Sequence, residues 1–143
     1  MSKSVKFLIG LVAILLMGWI WHGPAGNGER FIAALEAQAR AAVAETEVPN
    51  IQVRLSRDPL ARAATLSGPA DRFQRTGQGS LKGLNQIVAD IPGVSRVQWA
   101  DEPQAGGRTL PLLLETLLLL AAAYLIGVII GRLLFGRRKD TYL

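Results

Sequence analysis

Few residues in this chain have the types and spacing that catalysis or metal binding needs. The sequence contains one histidine, His22, and no cysteine, so a zinc site or a thiol nucleophile would lack its partners. Asp101 and Glu102 form an acidic pair, but the Pro and Gly residues that follow are typical of a solvated linker. No glycine-rich phosphate loop follows a predicted strand. The sequence therefore predicts a non-enzyme with no catalytic residues, no cofactor, no metal and no small-molecule substrate.

Glu115 is the polar residue of greatest functional interest, because it lies about one turn inside a long apolar run. An ionisable residue within a membrane is costly, so it is normally paired or placed for function. Three interpretations stay open. The carboxylate is stabilised by the positive start of a helix that begins near Pro111, or it pairs with another subunit, or it transfers protons.

Two apolar runs must position everything else in the chain. Residues 110–134 contain only Glu115 and Arg132 as charged residues. At ~1.5 Å per residue a helix of this length reaches roughly 37 Å, enough to cross a bilayer core of about 30 Å. Residues 5–21 form the other run, whose basic start also fits a cleaved signal peptide. No clean A-x-A cleavage site follows, so the sequence predicts a retained signal-anchor and two transmembrane helices.

The formal net charge of +5 is distributed unevenly along the chain. Residues 22–108 contain ten Lys or Arg and nine Asp or Glu, so the excess lies outside them. The excess cations are Lys3, Lys6, Arg132, Arg137, Arg138 and Lys139. Because the cytoplasmic flanks of membrane spans are enriched in Lys and Arg, this pattern predicts cytoplasmic termini and places residues from about 23 to 109 on the far side of the membrane. In the bacterial inner membrane, which is the predicted location, that side is the periplasm. Binding to nucleic acid is not predicted.

Aromatic and basic residues mark the expected membrane interfaces. Trp19 and Trp21 lie at the end of the first run, where amphipathic rings prefer the headgroup level. Arg137, Arg138 and Lys139 either fix the topology or hold anionic lipid headgroups at about 1 kcal/mol per charge. Membrane lipids are therefore predicted partners.

Small residues recur at helical spacing in both apolar runs. They are Ala123, Gly127 and Gly131 in the second run, and Gly10 and Gly18 in the first. Such stripes let another helix approach closely, so they either pack the two spans of this chain or dock an integral membrane subunit of a complex. Tyr124 lies beside the stripe, and its hydroxyl needs a hydrogen-bond partner at this depth.

Between the two runs, the pattern predicts a helix followed by a hairpin. Residues 29–47 have apolar positions at helical spacing, with Glu36 and other charged residues elsewhere on the wheel. The expected buried positions are Phe31, Leu35, Ala39, and Ala42 or Val43. Residues 51–56 and 62–66 alternate apolar and polar side chains, which predicts two strands joined at Asp58 and Pro59.

A second helix and a third strand are predicted to follow the hairpin. Residues 71–91 place Phe73, Leu81 and other apolar residues at helical spacing, although three glycines weaken the pattern. The helix is expected to be regular from about Ser80, which can cap it. Residues 94–99 alternate again and predict the last strand. The predicted fold class is an α+β membrane protein, in which two transmembrane helices flank a small two-layer α-β-β-α-β sandwich.

This order and two short motifs resemble the BON domain family over about residues 30–100. The motifs are Ala64–Gly68, which ends the second strand with "TLSG", and Ile91–Val97, which leads into the last strand. Domains of this family occur mostly in bacterial envelope proteins. The resemblance implies contact with phospholipid or attachment between envelope components, and no shared active site.

The chain departs from the family in its hairpin turn and in its second helix. Residues 57–60 stand where the family often has a glycine turn, and three glycines interrupt a helix that is usually alanine-rich. Gly68 and Gly93 match glycines of the family, and the resemblance assigns them a role in backbone conformation at strand ends.

These observations predict a chain of six segments. They are a signal-anchor (1–22), a linker (23–28), a BON-like periplasmic domain (29–100), a linker (101–109), a transmembrane helix (110–134) and a basic cytoplasmic tail (135–143). The leading functional hypothesis is an accessory or scaffold subunit of a larger inner-membrane complex. The alternatives are phospholipid binding or envelope maintenance by the domain, and an ion- or proton-handling component that uses Glu115.

Overall fold

The structure is a computed structural model that describes residues 2–103 and 109–135. In chain order its elements are α1 (Lys3–His22), α2 (Asn27–Ala44), β1 (Gln52–Arg57), β2 (Leu60–Ser67), α3 (Arg72–Thr76), β3 (Gly77–Gln78), β4 (Leu81–Lys82), α4 (Leu84–Ala89), β5 (Arg96–Trp99) and α5 (Leu112–Phe135). Most of the predicted tail and residues 104–108 of the second predicted linker lie outside the described residues.

The chain forms two compact units. One unit contains α1 and α5 from Leu113 onward. The other unit spans Gly26–Leu112 and contains all the strands found in the described residues. The fold class is therefore mixed α and β, with one long apolar helix before the small sheet region and one after it.

Both helices of the first unit are long and apolar enough to span a membrane, with 20 residues in α1 and 24 in α5. At ~1.5 Å per residue these lengths correspond to roughly 30 and 36 Å. The Ser2 hydroxyl caps the start of α1 by accepting a hydrogen bond from the Val5 backbone N–H. Their length and composition support an association with membrane.

The unit from Gly26 to Leu112 is built on a three-stranded sheet with the order β1-β2-β5. β2 is the central strand, antiparallel to β1 and parallel to β5. The predicted hairpin and the predicted last strand are therefore confirmed, and β1 and β5 are the outer strands of the sheet.

Apolar side chains from α2 and α4 pack on one face of this sheet. The buried residues of this core include Ile32, Leu35, Ala39, Val43, Val53, Leu55, Ala64, Leu66, Leu84, Val88 and Trp99. Burying apolar area at about 25 cal/mol per Å² is the main favourable contribution to the stability of such a small unit.

Two predictions about α2 are wrong. Phe31 is 45% exposed, and its neighbour Ile32 takes the buried position. Glu36 was expected on the solvent side, but it is buried at 6% exposure within the same stripe as Leu35 and Ala39. The reason is that Glu36 has hydrogen-bond partners on β1, so its burial does not leave a carboxylate unsatisfied.

The region before α4 also differs from the prediction. Ser80 caps no helix and lies in the turn between β3 and β4, and α4 begins at Leu84 with Gly83 as its N-cap residue. Gly77 and Gly83 explain the break. Gly77 has a φ of +81°, and a Cβ on Gly83 would collide with the backbone of the Gly77 segment.

The short helix α3 and the two-stranded ribbon of β3 and β4 each leave one apolar side chain outside the core. Phe73 is 62% exposed and Leu81 is 76% exposed, although the helical spacing suggested that they face the core. Because α3 ends at Thr76 and the ribbon of β3 and β4 follows it, no single helical periodicity relates Phe73 and Leu81 to α4.

Candidate functional site

Helices α1 and α5 are held together by one tyrosine and two glycines. The Tyr124 hydroxyl donates a hydrogen bond of 2.9 Å to the Phe7 carbonyl, and the two aromatic rings lie 5.4 Å apart. A Cβ on Gly10 would collide with the Tyr124 hydroxyl, and a Cβ on Gly18 would come within 2.5 Å of Leu120. Gly10 and Gly18 therefore leave room for side chains of α5. The sequence predicted that the Tyr124 hydroxyl needs a hydrogen-bond partner, and the structure shows that this partner is the backbone of α1.

The stripe on α5 lies apart from this contact. A Cβ on Gly127 or on Gly131 would meet no described atom within 4 Å. Ala123 and Gly127 are exposed, and Gly131 is half-buried. The described part of the chain thus leaves room for another helix against Gly127 and Gly131.

The remaining predicted membrane residues are distributed along both helices. Glu115 lies in the first turn of α5, is half-buried and has an interaction partner. Trp19 and Trp21 are 52% and 62% exposed near the end of α1. The predicted basic anchors Arg137, Arg138 and Lys139 lie outside the described residues.

In the strand-containing unit, Glu36 and Arg40 of α2 bind the outer edge of β1. Glu36 Oε2 accepts a hydrogen bond of 2.9 Å from the Leu55 backbone N–H, and Arg40 Nε donates one of 3.1 Å to the Val53 carbonyl. The two side chains also pair with each other at 2.5 Å. Two outer backbone groups of β1, the Val53 carbonyl and the Leu55 N–H, are therefore bound by side chains of α2.

Arg57 extends this network. It forms ion pairs with Glu29 and, at 3.5 Å, with Glu36. Sequence reasoning missed the role of Glu36. The available signal was a charged residue in an otherwise apolar helical stripe, with Arg40 one turn later.

Arg75 of α3 forms ion pairs with Asp101 and Glu102, the acidic residues that follow β5. Its guanidinium binds both carboxylate oxygens of Asp101, at 3.0 and 2.7 Å, and reaches Glu102 at 3.4 Å. The same group lies 4.0 Å from the centre of the Trp99 ring system. Asp101 and Glu102, predicted as a solvated pair, are therefore partners of Arg75, and no sequence signal indicated that long-range contact.

This arrangement alters the ionisation of both partners. The hydrogen bond from Arg75 lowers the pKa of the Asp101 carboxyl below its ordinary value, against a smaller opposing effect of desolvation. The hydrogen bond to Asp101 raises the pKa of the Arg75 guanidinium. The pair therefore favours the charged forms of both side chains.

The sheet has a second, polar face. Cross-strand pairing aligns Arg54 of β1 with Thr65 of β2 and Thr65 with Gln98 of β5, so these three side chains form one row. Gln98 Nε2 donates a hydrogen bond of 3.2 Å to the Thr65 hydroxyl. Arg96 lies on the same face, beside Ala63.

Gly68 and Gly93, which the family resemblance singled out, both lie at positive φ. Gly68 follows β2 at +137° and Gly93 precedes β5 at +109°. A Cβ on Gly68 would also collide with the Asn50 carbonyl. The structure therefore places both glycines where other residues are strained.

The described residues contain no group of three or more His, Cys, Asp or Glu that could hold a metal ion. Every buried side-chain polar atom among them has a hydrogen-bond partner. The remaining candidates for binding are therefore surfaces. They are the stripe of small residues on α5, the exposed apolar side chains of Phe73 and Leu81, and the polar face of the sheet.

No protein-family model matches this chain, and comparisons with curated proteins and with solved structures find no match. The fold itself defines the class of the protein: it is an α+β chain with two helices long and apolar enough to span a membrane. Membership of the BON domain family stays a prediction.

Proposed function

We propose that this chain is a non-enzymatic accessory or scaffold subunit of a larger bacterial inner-membrane complex. The observation that carries the proposal is the open stripe of α5 at Gly127 and Gly131. Small residues on a membrane helix allow close approach of a second helix, and here α1 does not occupy that place. A subunit of the complex would pack its own helix there.

The proposed layout follows from the charge pattern. Helices α1 and α5 cross the membrane, both termini are cytoplasmic, and the unit between them is periplasmic and BON-like. Only residues 23–26 separate the end of α1 from α2, and four extended residues span at most about 14 Å. The folded unit would contact neighbouring subunits on the periplasmic side.

The proposal is tested by mild detergent extraction from the host membrane, followed by native sizing. The chain should migrate in an assembly much larger than its own 15.4 kDa plus a micelle. Migration as a lone protomer, with no co-purifying chain, would contradict the proposal.

A matched pair of variants identifies the helix face involved. Gly127→Leu fills the stripe, whereas Ala122→Leu adds bulk to an exposed position about 140° away around α5. We expect Gly127→Leu to release the chain from the assembly and Ala122→Leu to leave the assembly intact. Equal effects of the two variants would count against docking at the stripe.

A second candidate function is binding of the folded unit to phospholipid. The exposed Phe73 and Leu81 adjoin the cations Arg72 and Lys82 in sequence, a combination that suits the interface of an anionic membrane. Lys82 already pairs with Asp90 at 2.6 Å, which reduces its contribution.

Flotation with anionic vesicles tests this candidate, with the full chain held in neutral nanodiscs. Under this candidate the double variant Phe73→Ser with Leu81→Ser loses most of the bound fraction, while Phe31→Ser, at another exposed aromatic residue, does not. If the double variant binds the vesicles as well as the wild type does, Phe73 and Leu81 are not the lipid contact.

A further inference from the structure

The polar face of the sheet is a cationic surface that the core does not use. It is formed by Arg54, Thr65, Arg96 and Gln98, and we call it the cationic sheet face. The neighbouring strand positions Val53, Leu55 and Leu66 are buried in the core, so alternation directs these four residues to the opposite side. Arg54 is exposed, and the other three are half-buried.

The charge of this face is not balanced by its own strands. The strand positions aligned with these residues on the same face are Gln52, Ala63 and Ser67, and they include no carboxylate. Arg54 forms none of the ion pairs found among the described residues. Arg96 has an interaction of its own, so Arg54 is the principal cation available to a ligand.

Arg54 also lies beside other charged side chains at the edge of the sheet. Arg54 lines a shallow depression at the outer edge of β1 together with Arg40, Arg57 and Glu36. Three cations and one carboxylate line this depression, and a second depression that Arg40 and Arg54 also line includes the carboxylate of Glu47. Arg40 pairs with Glu36, and Arg57 pairs with Glu36 and Glu29, so Arg54 is the arginine of this depression that forms no ion pair among the described residues.

The polarity of the face indicates the kind of ligand that fits. Arginine binds carboxylates through two parallel hydrogen bonds, and the hydroxyl of Thr65 and the amide of Gln98 can complete a polar contact. The face carries no exposed large apolar side chain, which interfacial binding to a bilayer would need. A protein surface rich in Asp and Glu therefore fits better than a lipid surface.

We propose that the cationic sheet face docks an acidic surface of a partner subunit, with Arg54 as the principal contact. This inference rests on the proposed role as an accessory subunit and adds a second, polar point of attachment to the helix stripe. Charge pairing at such a contact orients the partner and excludes subunits with a basic surface.

The direct test uses zero-length carbodiimide cross-linking of the full chain in its native membrane. Carbodiimide joins an amine to a carboxylate as an amide, with loss of water. The Arg54→Lys variant places an amine on the face, and Arg72→Lys places one on α3, where Arg72 is also exposed. We expect Arg54→Lys to give a product with an Asp or Glu of a second protein, located by mass spectrometry, and Arg72→Lys to give at least tenfold less.

Native sizing of charge-reversal variants completes the test. Arg54→Glu should release at least half of the chain from the assembly, Arg54→Gln less, and Arg72→Glu none, with circular dichroism as the folding control. An intact assembly with no intermolecular product from position 54 would overturn this inference and leave the accessory role standing. Loss of binding to anionic vesicles in Arg54→Glu, with the assembly intact, would assign the face to lipid and also overturn it. A wild-type chain that migrates alone would overturn both proposals.

Discussion

The carboxylate of Glu36 accepts a hydrogen bond of 2.9 Å from the backbone N–H of Leu55, which lies on the outer edge of β1. Arg40 binds the Val53 carbonyl on the same edge. An open edge strand presents unpaired backbone groups that can pair with another chain. Two side chains of α2 therefore bind two of the backbone groups that an added strand would need.

Replacing Glu36 should lower the free energy of unfolding and leave backbone groups of β1 open to pairing with another chain. Glu36→Leu leaves the Leu55 N–H buried without an acceptor, which costs about 1–3 kcal/mol of unfolding free energy. Urea unfolding of the full chain in micelles measures the cost, and sizing at increasing protein concentration measures self-association.

Two further variants serve as controls for that change. Glu36→Gln keeps an acceptor for the Leu55 N–H and loses only the charge, so its effect should be smaller than that of Glu36→Leu. Glu47→Gln, at an exposed position, should change neither quantity. Equal stability of Glu36→Leu and wild type would show that water or another group satisfies the Leu55 N–H.

The Arg75–Asp101 pair should make stability depend on pH in the acid range. Because the folded pKa of Asp101 is lowered, its ionised form stabilises the folded state above the ordinary aspartate pKa. That contribution declines as the pH falls through the lowered folded pKa, since protonation then breaks the pair.

Asp101→Asn should therefore lower Tm at pH 7 and have little effect at a pH below the lowered value. Thermal unfolding of wild type and variant across pH 2 to 8 measures the difference. Asp58→Asn, at an exposed hairpin position, is the matched control. A Tm difference that stays constant with pH would show that the pair contributes nothing through its charge.

The contact between α1 and α5 should depend on Gly10 more than on the Tyr124 hydroxyl. Gly10→Leu forces the Tyr124 ring away from the Phe7 carbonyl and separates the helices. Tyr124→Phe removes one hydrogen bond between the two apolar helices, and such a bond costs about 0.6 kcal/mol between membrane helices.

Energy transfer between dyes attached to the two helices measures their separation. A clear loss of transfer is expected in Gly10→Leu, and little change in Tyr124→Phe or in Gly127→Leu. If Gly10→Leu leaves the transfer unchanged, the two helices do not depend on this contact.

The elements with a clear periodicity were predictable from the sequence. Residues 110–134 and 5–21 predict the two long helices from apolar length alone, and alternation in residues 51–56 predicts β1 within a residue. The burial of Ala39 and Val43 follows from helical spacing in the same way.

The other features depend on contacts that periodicity does not encode. Burial of Glu36 requires the edge of β1 to lie beside α2, and the ion pair of Arg75 with Asp101 joins residues 26 positions apart. The ribbon around Gly77 and Gly83 forms because two backbone segments approach closely, whereas helix propensity counts each residue alone.

Cysteine accessibility tests the central claim most directly, because the natural chain has no cysteine to remove. Single variants Asp58→Cys, in the hairpin, and Ser2→Cys, before α1, are treated with a membrane-impermeant maleimide on intact spheroplasts. If both termini are cytoplasmic, Asp58→Cys is labelled on intact spheroplasts and Ser2→Cys is labelled only after permeabilisation. Labelling of Ser2→Cys from outside, or protection of Asp58→Cys until the membrane is opened, would contradict the proposed layout.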